Sequence, residues 1–115
     1  MPDATPPPLD PSQAARLEAL LRAGFQFVTF EQFGRYPGVE KARFVALLDL
    51  SGNKVRQYGS MGYHIGNGIG MLVERASGKA FIWKNEVIEA SPELLAAYEN
   101  VKEELRGLLA EGYKD

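Results

Sequence analysis

The segment YGSMGYHIGNGIGM, residues 58–71, holds five glycines and the only histidine of the chain. Closely spaced glycines can cradle a phosphate, but the dinucleotide fingerprint is G-x-G-x-x-G and opens a helix. Gly66, Gly68 and Gly70 have the spacing G-x-G-x-G and lead into a strand-like apolar pattern. Without a helix N-terminus there is no aligned set of N–H groups for an anion. We therefore interpret residues 66–68 as the tip of a β-hairpin.

His64 is the residue of this segment that could serve as a general base near neutral pH. By strand alternation its candidate partner is Glu74, which lies on the same predicted face but several strand positions away. No nucleophile is obviously presented beside the imidazole. We therefore predict no catalytic residue and a non-enzymatic protein.

The register of this hairpin decides which side chains share a face. A three-residue turn with Gly68 in a left-handed bulge would set Ile65 opposite Ile69 and Tyr63 opposite Met71. That register collects the large apolar side chains, including Met61 and Val73, on one face, so we expect it over a one-residue slip. The other face would carry Ser60, Gly62, His64, Gly66, Gly70, Leu72 and Glu74.

Glycine within a strand costs roughly 0.5–1 kcal/mol per position, so a face lined with glycine indicates a close approach by a ring, a backbone or a ligand. A two-residue turn at Ser77 and Gly78 would place the single tryptophan, Trp83, on this face beside Gly70. The alternative is an open groove for a small molecule. In that alternative the candidate ligand-binding residues are Tyr58, Gly62, His64, Gly70, Glu74 and Trp83.

Two helices flank the segments that form the sheet. Asp10, Pro11 and Gln13 form a helix start, and Gly24 supplies a left-handed stop. Ser91 and Pro92 begin a longer C-terminal helix that we expect to run to Gly112. Its apolar stripe is Leu94, Tyr98, Val101, Leu105 and Leu108, and it should lie on the face formed by Met61, Tyr63, Ile65, Ile69, Met71 and Val73.

Residues 25–84 alternate apolar segments with turn residues and predict four to five strands. Residues 43–50 are apolar on both faces, which is typical of a strand covered on both sides. The connections are too short for parallel crossovers, so we predict an α+β fold with an antiparallel meander and both helices on one face. We expect one domain over residues 10–115, after a disordered proline-rich tail at residues 1–9. No stretch matches a motif of a known family.

Composition excludes several classes of site. The chain has 115 residues and no cysteine, which excludes a disulfide framework, a thiol nucleophile and a cysteine-ligated metal. No cofactor and no metal site are predicted. The sequence shows no signal peptide and no run of 18 uncharged apolar residues. We therefore expect a soluble cytoplasmic protein with no membrane contact.

The middle of the chain is basic: residues 35–83 have a formal balance of +4, although the whole chain has -2. This positive charge favours weak nucleic-acid binding, with Tyr36 and Tyr58 as stacking rings. We rank this function lowest. The candidate cations are Arg35, Lys41, Arg43, Lys54 and Arg56. Nucleic-acid binders usually cluster such residues on one face, whereas Lys and Arg also guard strand edges.

The function expected first follows from the area of the sheet that the chain can cover. Two helices packed on one face leave the other face without cover, and two-fold self-association is the commonest way to bury such a face. We therefore predict a small non-enzymatic binding or adaptor module that forms a homodimer or binds a protein partner. Small-ligand binding on the glycine-lined face is the alternative, and nucleic-acid binding is the second alternative.

Overall fold

The computed structural model describes residues 11–51 and 54–109. The proline-rich tail, the Asp10 cap and the stop at Gly112 lie outside the described residues. In chain order the elements are α1 Pro11–Arg22, β1 Gln26–Val28, a 3-10 turn Glu31–Phe33, β2 Gly38–Lys41, β3 Phe44–Asp49, β4 Arg56–Ile65, β5 Gly68–Arg75, β6 Gly78–Trp83, β7 Glu86–Glu89 and α2 Pro92–Leu109.

The strands form one antiparallel meander in the order β1 to β7. The predicted α+β class and meander are confirmed, but four to five strands is too few. The two strands that the sequence did not reveal are β2 and β7, each four residues long. Both contain glutamate among their few residues, and such short segments become strands by pairing with their neighbours.

The sheet has two unlike faces. The helix face includes Phe44, Met61 and Phe81, and it forms one buried cluster with side chains of α1 and α2. The open face includes Val45, Leu47 and Ile69, which form a second cluster without helical residues. Both helices therefore pack on one face, as expected.

The helix α2 contributes four buried side chains to the core. Ser91 Oγ accepts a hydrogen bond from the Leu94 N–H at 3.1 Å, which confirms the predicted cap. The buried residues of α2 recur at three- and four-residue spacing: Tyr98, Val101, Leu105 and Leu109. The predicted stripe therefore faces the core, with Leu109 buried at its end where Leu108 was expected. The predicted contact face is wrong in half of its residues, because Ile69, Met71 and Val73 do not lie under the helices.

Polar contacts fix both helices to the sheet. The Tyr98 hydroxyl donates to the Met61 carbonyl at 3.3 Å. The amide of Gln13, which is only 3% exposed, donates to the Leu50 and Lys54 carbonyls at 2.7 and 3.0 Å. At the end of α1, Gly24 has a φ of 98° and confirms the predicted left-handed stop. The two Gln13 hydrogen bonds hold α1 against the connection between β3 and β4.

The strand β3 is covered on both faces, as its sequence predicts. All five residues 44–48 are buried. On the open face the cover comes from the chain itself, because the β1–β2 connection places Phe30, Phe33 and Tyr36 against the cluster of Val45, Leu47 and Ile69. This part of the open face therefore needs no partner.

The predicted register of the β4–β5 hairpin is wrong. Tyr63 lies opposite Gly70 and Ile65 opposite Gly68, so the loop has two residues, Gly66 and Asn67. Gly66 has a φ of 57° and Asn67 has no positive φ, which fits a hairpin turn with glycine at its first central position. The apolar pattern misled the prediction because both faces of this sheet bury apolar side chains.

The predicted β5–β6 register is also wrong. The turn residues are Ala76 and Ser77, so Leu72 lies opposite Phe81 instead of Trp83. Residues directly opposite one another share a face. Together the two registers place Ile69, Met71 and Val73 on the open face, whereas Met61, Tyr63 and Ile65 remain under the helices.

Candidate binding surface

A cleft opens where two neighbouring strands separate. β4 and β5 pair only through residues 63–65 and 68–70. Beyond this short ladder, β4 continues along β3 and β5 continues along β6. The separation coincides with a bulge: Val45 pairs with Gly62 and Leu47 with Tyr58, so three residues of β4 face Ala46. Gly59 within the bulge has a φ of 76°, a conformation that glycine adopts without steric cost.

We call this opening the β4–β5 cleft. Its volume is about 330 Å³, within the range of small-molecule sites. The residues that line it are Phe33, Leu47, Tyr58, Gly59, Ser60, Ile69, Met71, Ile82, Trp83 and Lys84. Most of them are apolar and none is acidic.

Exposed apolar side chains concentrate on the same face. Six large hydrophobic residues of the described chain are exposed, and four of them belong to the open face: Tyr58, Met71, Val73 and Val87, each 40–45% exposed. Met71, Ile82 and Val87 lie opposite one another across β5, β6 and β7. We call Met71, Val73, Ile82 and Val87 the outer strip.

The structure divides the six sequence-predicted ligand residues between the two faces. Tyr58, Gly62 and His64 belong to the open face, whereas Gly70, Glu74 and Trp83 have the opposite parity. Of the six, only Tyr58 and Trp83 line the β4–β5 cleft. The predicted set therefore does not form a single surface.

The glycines are approached closely by side chains of the chain itself. A Cβ at Gly68 would overlap the Trp83 ring, one at Gly70 would overlap Ile65, and one at Gly62 would lie 2.5 Å from Ile69 Cγ2. The close approach that the glycines predicted is thus made by Trp83 and two isoleucines. The Trp83 ring covers Gly68, which is two residues along β5 from Gly70, the glycine beside which it was expected.

His64 has a different partner from the one expected. Its Nδ1 lies 2.8 Å from Glu40 Oε1 on β2, and the Phe30 ring contacts the imidazole edge-on with centroids 5.2 Å apart. Glu74 lies opposite Lys79 near the far end of β5. Glu40 escaped the sequence interpretation because β2 was not recognised as a strand.

The predicted nucleic-acid residues are dispersed. Tyr36 and Tyr58 stack on each other at 3.9 Å between centroids, and Arg35 lies over Tyr36. Arg43 lies in the β2–β3 turn and donates to the His64 carbonyl at 2.7 Å. Lys54 lies just before β4, and its backbone carbonyl accepts from Gln13. Each tyrosine ring therefore already covers one face of the other, and that face is closed to a nucleic-acid base.

Ser51, Arg56 and Arg35 all favour the ionised form of one carboxylate, that of Asp49. Asp49 Oδ1 accepts a hydrogen bond from the Ser51 N–H at 2.9 Å. That bond, a second one from the Ser51 side chain and the charges of Arg56 and Arg35 lower the pKa of Asp49 below its ordinary value of 3.8. The ionised carboxylate thus offsets part of the positive charge beside the tyrosine stack.

Several cleft residues could not be selected from the sequence. Ser60 and Lys84 line the cleft because of a bulge in β4 and a tight turn after β6. The available signal was Gly59, since an isolated glycine in a strand pattern suggests a bulge. Lys84 carried no such signal.

The comparisons with known proteins give no relative. No protein-family model, curated protein or solved structure matches the chain. Among the described residues, no group of three acidic or histidine side chains is arranged to hold a metal ion. Neither helix of the described ranges combines the length and apolarity needed to span a bilayer. Function is therefore inferred from the open face.

Proposed function

We propose that this protein is a small binding module that self-associates through the outer strip of the open face. The observation that carries the proposal is an apolar row in register across three strands, in which Met71 and Val87 are exposed and Ile82 between them is partly exposed. The two helices cover the opposite face, and the β1–β2 connection covers only the β3 side of the open face. An apolar row left at the surface is typical of an interaction site.

The charges beside the outer strip suit a second copy of the chain. Arg75 Nη2 donates to Glu89 Oε2 at 2.5 Å, so the two flanking charges neutralise each other within one molecule. A two-fold arrangement places the same patch against itself. The Arg75–Glu89 pair is neutral as a whole, so it adds no net like charge to such a contact.

Analytical ultracentrifugation over low to high micromolar concentrations tests this function. We expect a concentration-dependent dimer for the unaltered chain and a monomer for the variant Val73→Lys, Val87→Lys. The matched control is Leu21→Lys, which changes an exposed leucine of α1 and should leave the dimer intact. A clean monomer of the unaltered chain at high micromolar concentration would exclude the proposal.

A second candidate function is small-ligand binding in the β4–β5 cleft. It is supported by the apolar cleft of about 330 Å³ beside Trp83, the single tryptophan of the chain. Screening a metabolite library by tryptophan fluorescence tests it. A hit should alter the emission of the unaltered chain and lose its effect in a Ser60→Trp variant that fills the cleft from an exposed position, after subtraction of the new fluorophore's signal. A screen without hits would count against this function.

A further inference from the structure

We infer that the ligand of the β4–β5 cleft is an apolar carboxylic acid whose carboxylate pairs with Lys84. This inference rests on the second candidate function, ligand binding in the cleft. It adds the chemical class of the ligand and the residues that select it. Neither class nor residues follow from the sequence, because strand separation and a tight turn create the arrangement.

The walls of the cleft define an apolar body for the ligand. Leu47, Ile69, Met71 and Ile82 supply aliphatic and thioether surface, and Phe33 adds an aromatic ring. Burial of apolar ligand surface against such walls is favourable in proportion to the area removed from water. Since no residue lining the cleft is acidic, the walls offer no ionic partner to a cationic ligand.

Lys84 supplies the one formal charge among the lining residues. Its ammonium lies 5.1 Å from the centroid of the Trp83 ring. Within the described residues, Lys84 has no carboxylate partner, whereas Lys41, Arg75 and Arg22 each have one. A cation held at an apolar cleft and left without an acid is complementary to an anionic ligand group.

Two residues that carry hydroxyl groups, Tyr58 and Ser60, line the same cleft on the β4 side, and both are exposed. Neither hydroxyl makes a hydrogen bond to another residue of the described ranges. Hydroxyl groups donate readily to carboxylate oxygens. The cleft therefore combines an apolar interior with one cation and two available donors.

The size of the cleft limits the ligand. About 330 Å³ is near the lower end of the range for small-molecule pockets. A compact bicyclic aromatic acid fits this volume, and a long-chain lipid does not. A suitable probe is 2-naphthylacetate, and 2-naphthylacetamide is its uncharged counterpart of nearly the same shape.

The experiment is an NMR titration of the ¹⁵N-labelled full chain with each probe. We expect amide shifts at Ser60, Met71 and Lys84, and a Kd for the acid about tenfold lower than for the amide, as one charge-assisted hydrogen bond supplies. Lys84→Gln should raise the Kd of the acid about tenfold and remove the preference, whereas Lys84→Arg should keep it. Lys79→Gln, which removes an exposed lysine of β6 outside the cleft, should leave both Kd values unchanged.

The outcomes separate the ligand class from ligand binding itself. If both probes shift the cleft residues with equal Kd, or if Lys84→Gln keeps the preference, ligand binding stands and the assignment of a carboxylic acid is overturned. If neither probe shifts the cleft residues, both are overturned. Shifts confined to the helix face would have the same consequence as no binding.

Discussion

The indole ring of Trp83 on β6 lies directly on Gly68 of the neighbouring strand β5. No side chain can therefore be added at Gly68 without moving the ring. The ring atoms Cε2, Cζ2 and Cδ2 surround the position that a Cβ would take. Aromatic cover of a strand glycine compensates for the side chain that the glycine lacks. The glycine and the tryptophan therefore form one packing unit.

Gly68→Ala should lower the free energy of unfolding by about 1–3 kcal/mol, because the added methyl group forces the Trp83 ring out of its place. The control is Gly107→Ala in α2, where a Cβ would meet nothing within 4 Å. That change should stabilise the protein by roughly 0.5–1 kcal/mol, since glycine is a poor helix former. Urea unfolding measures both, and equal stability of the two variants would contradict the contact.

Leu105→Ala should lower the free energy of unfolding by about 2–5 kcal/mol, since Leu105 is fully buried under the sheet. Glu103 lies on the outer side of α2, with a side chain 62% exposed and 3.5 Å from Arg106. Its change to alanine should cost under about 0.5 kcal/mol. Comparable urea midpoints for the two variants would show that α2 packs through another face.

Ala42→Gly should stabilise the protein by up to about 1 kcal/mol. Ala42 and Arg43 form the β2–β3 turn with φ values of 54° and 72°, a conformation that is costly for residues with a Cβ. The gain is reduced by the greater freedom of glycine in the unfolded chain. Ala76→Gly, in a turn position without a positive φ, should not stabilise. Thermal melts that rank these variants in reverse would refute the strained turn.

Asp49→Asn should lower stability at neutral pH and have progressively less effect in acid. The pKa of Asp49 is lowered in the folded protein, so the ionised group stabilises the fold at pH values above its ordinary 3.8. This contribution is lost as the pH falls through that value toward the folded pKa. Urea midpoints across this pH range measure the effect.

Ser51→Ala is the companion variant for Asp49. It removes the side-chain hydrogen bond to the carboxylate but keeps the Ser51 N–H, the larger cause of the lowered pKa. We expect the same pH dependence at smaller amplitude. A difference between Asp49→Asn and the unaltered chain that persists unchanged below pH of about 3 would refute the role of the carboxylate charge.

The sequence by itself determined the elements whose signals are local. The Ser91 cap, the Gly24 stop and the buried stripe of α2 were predictable because each depends on residues within a few positions of one another. The cover on both faces of β3 was also predictable, since its apolar residues occur on both parities.

Only the tertiary structure decided which side chains share a face. Two-residue turns at residues 66–67 and 76–77 set registers that differ from the three-residue turn favoured by apolar segregation and from the predicted turn at Ser77 and Gly78. Apolar segregation selected the wrong register for β4 and β5 because the β1–β2 connection gives the open face an apolar cover of its own around Ile69. A one-residue change of register moves every side chain of a strand to the other face.

The candidate site depended on the same long-range features. His64 meets Glu40 through a strand that its own four residues did not reveal. The β4–β5 cleft exists because the ladder between the strands ends after Tyr63 and Gly70. The length of a ladder is set by bulges, by the packing of both faces and by the paths of neighbouring strands. These are relations between distant segments, and no local pattern of residues encodes them.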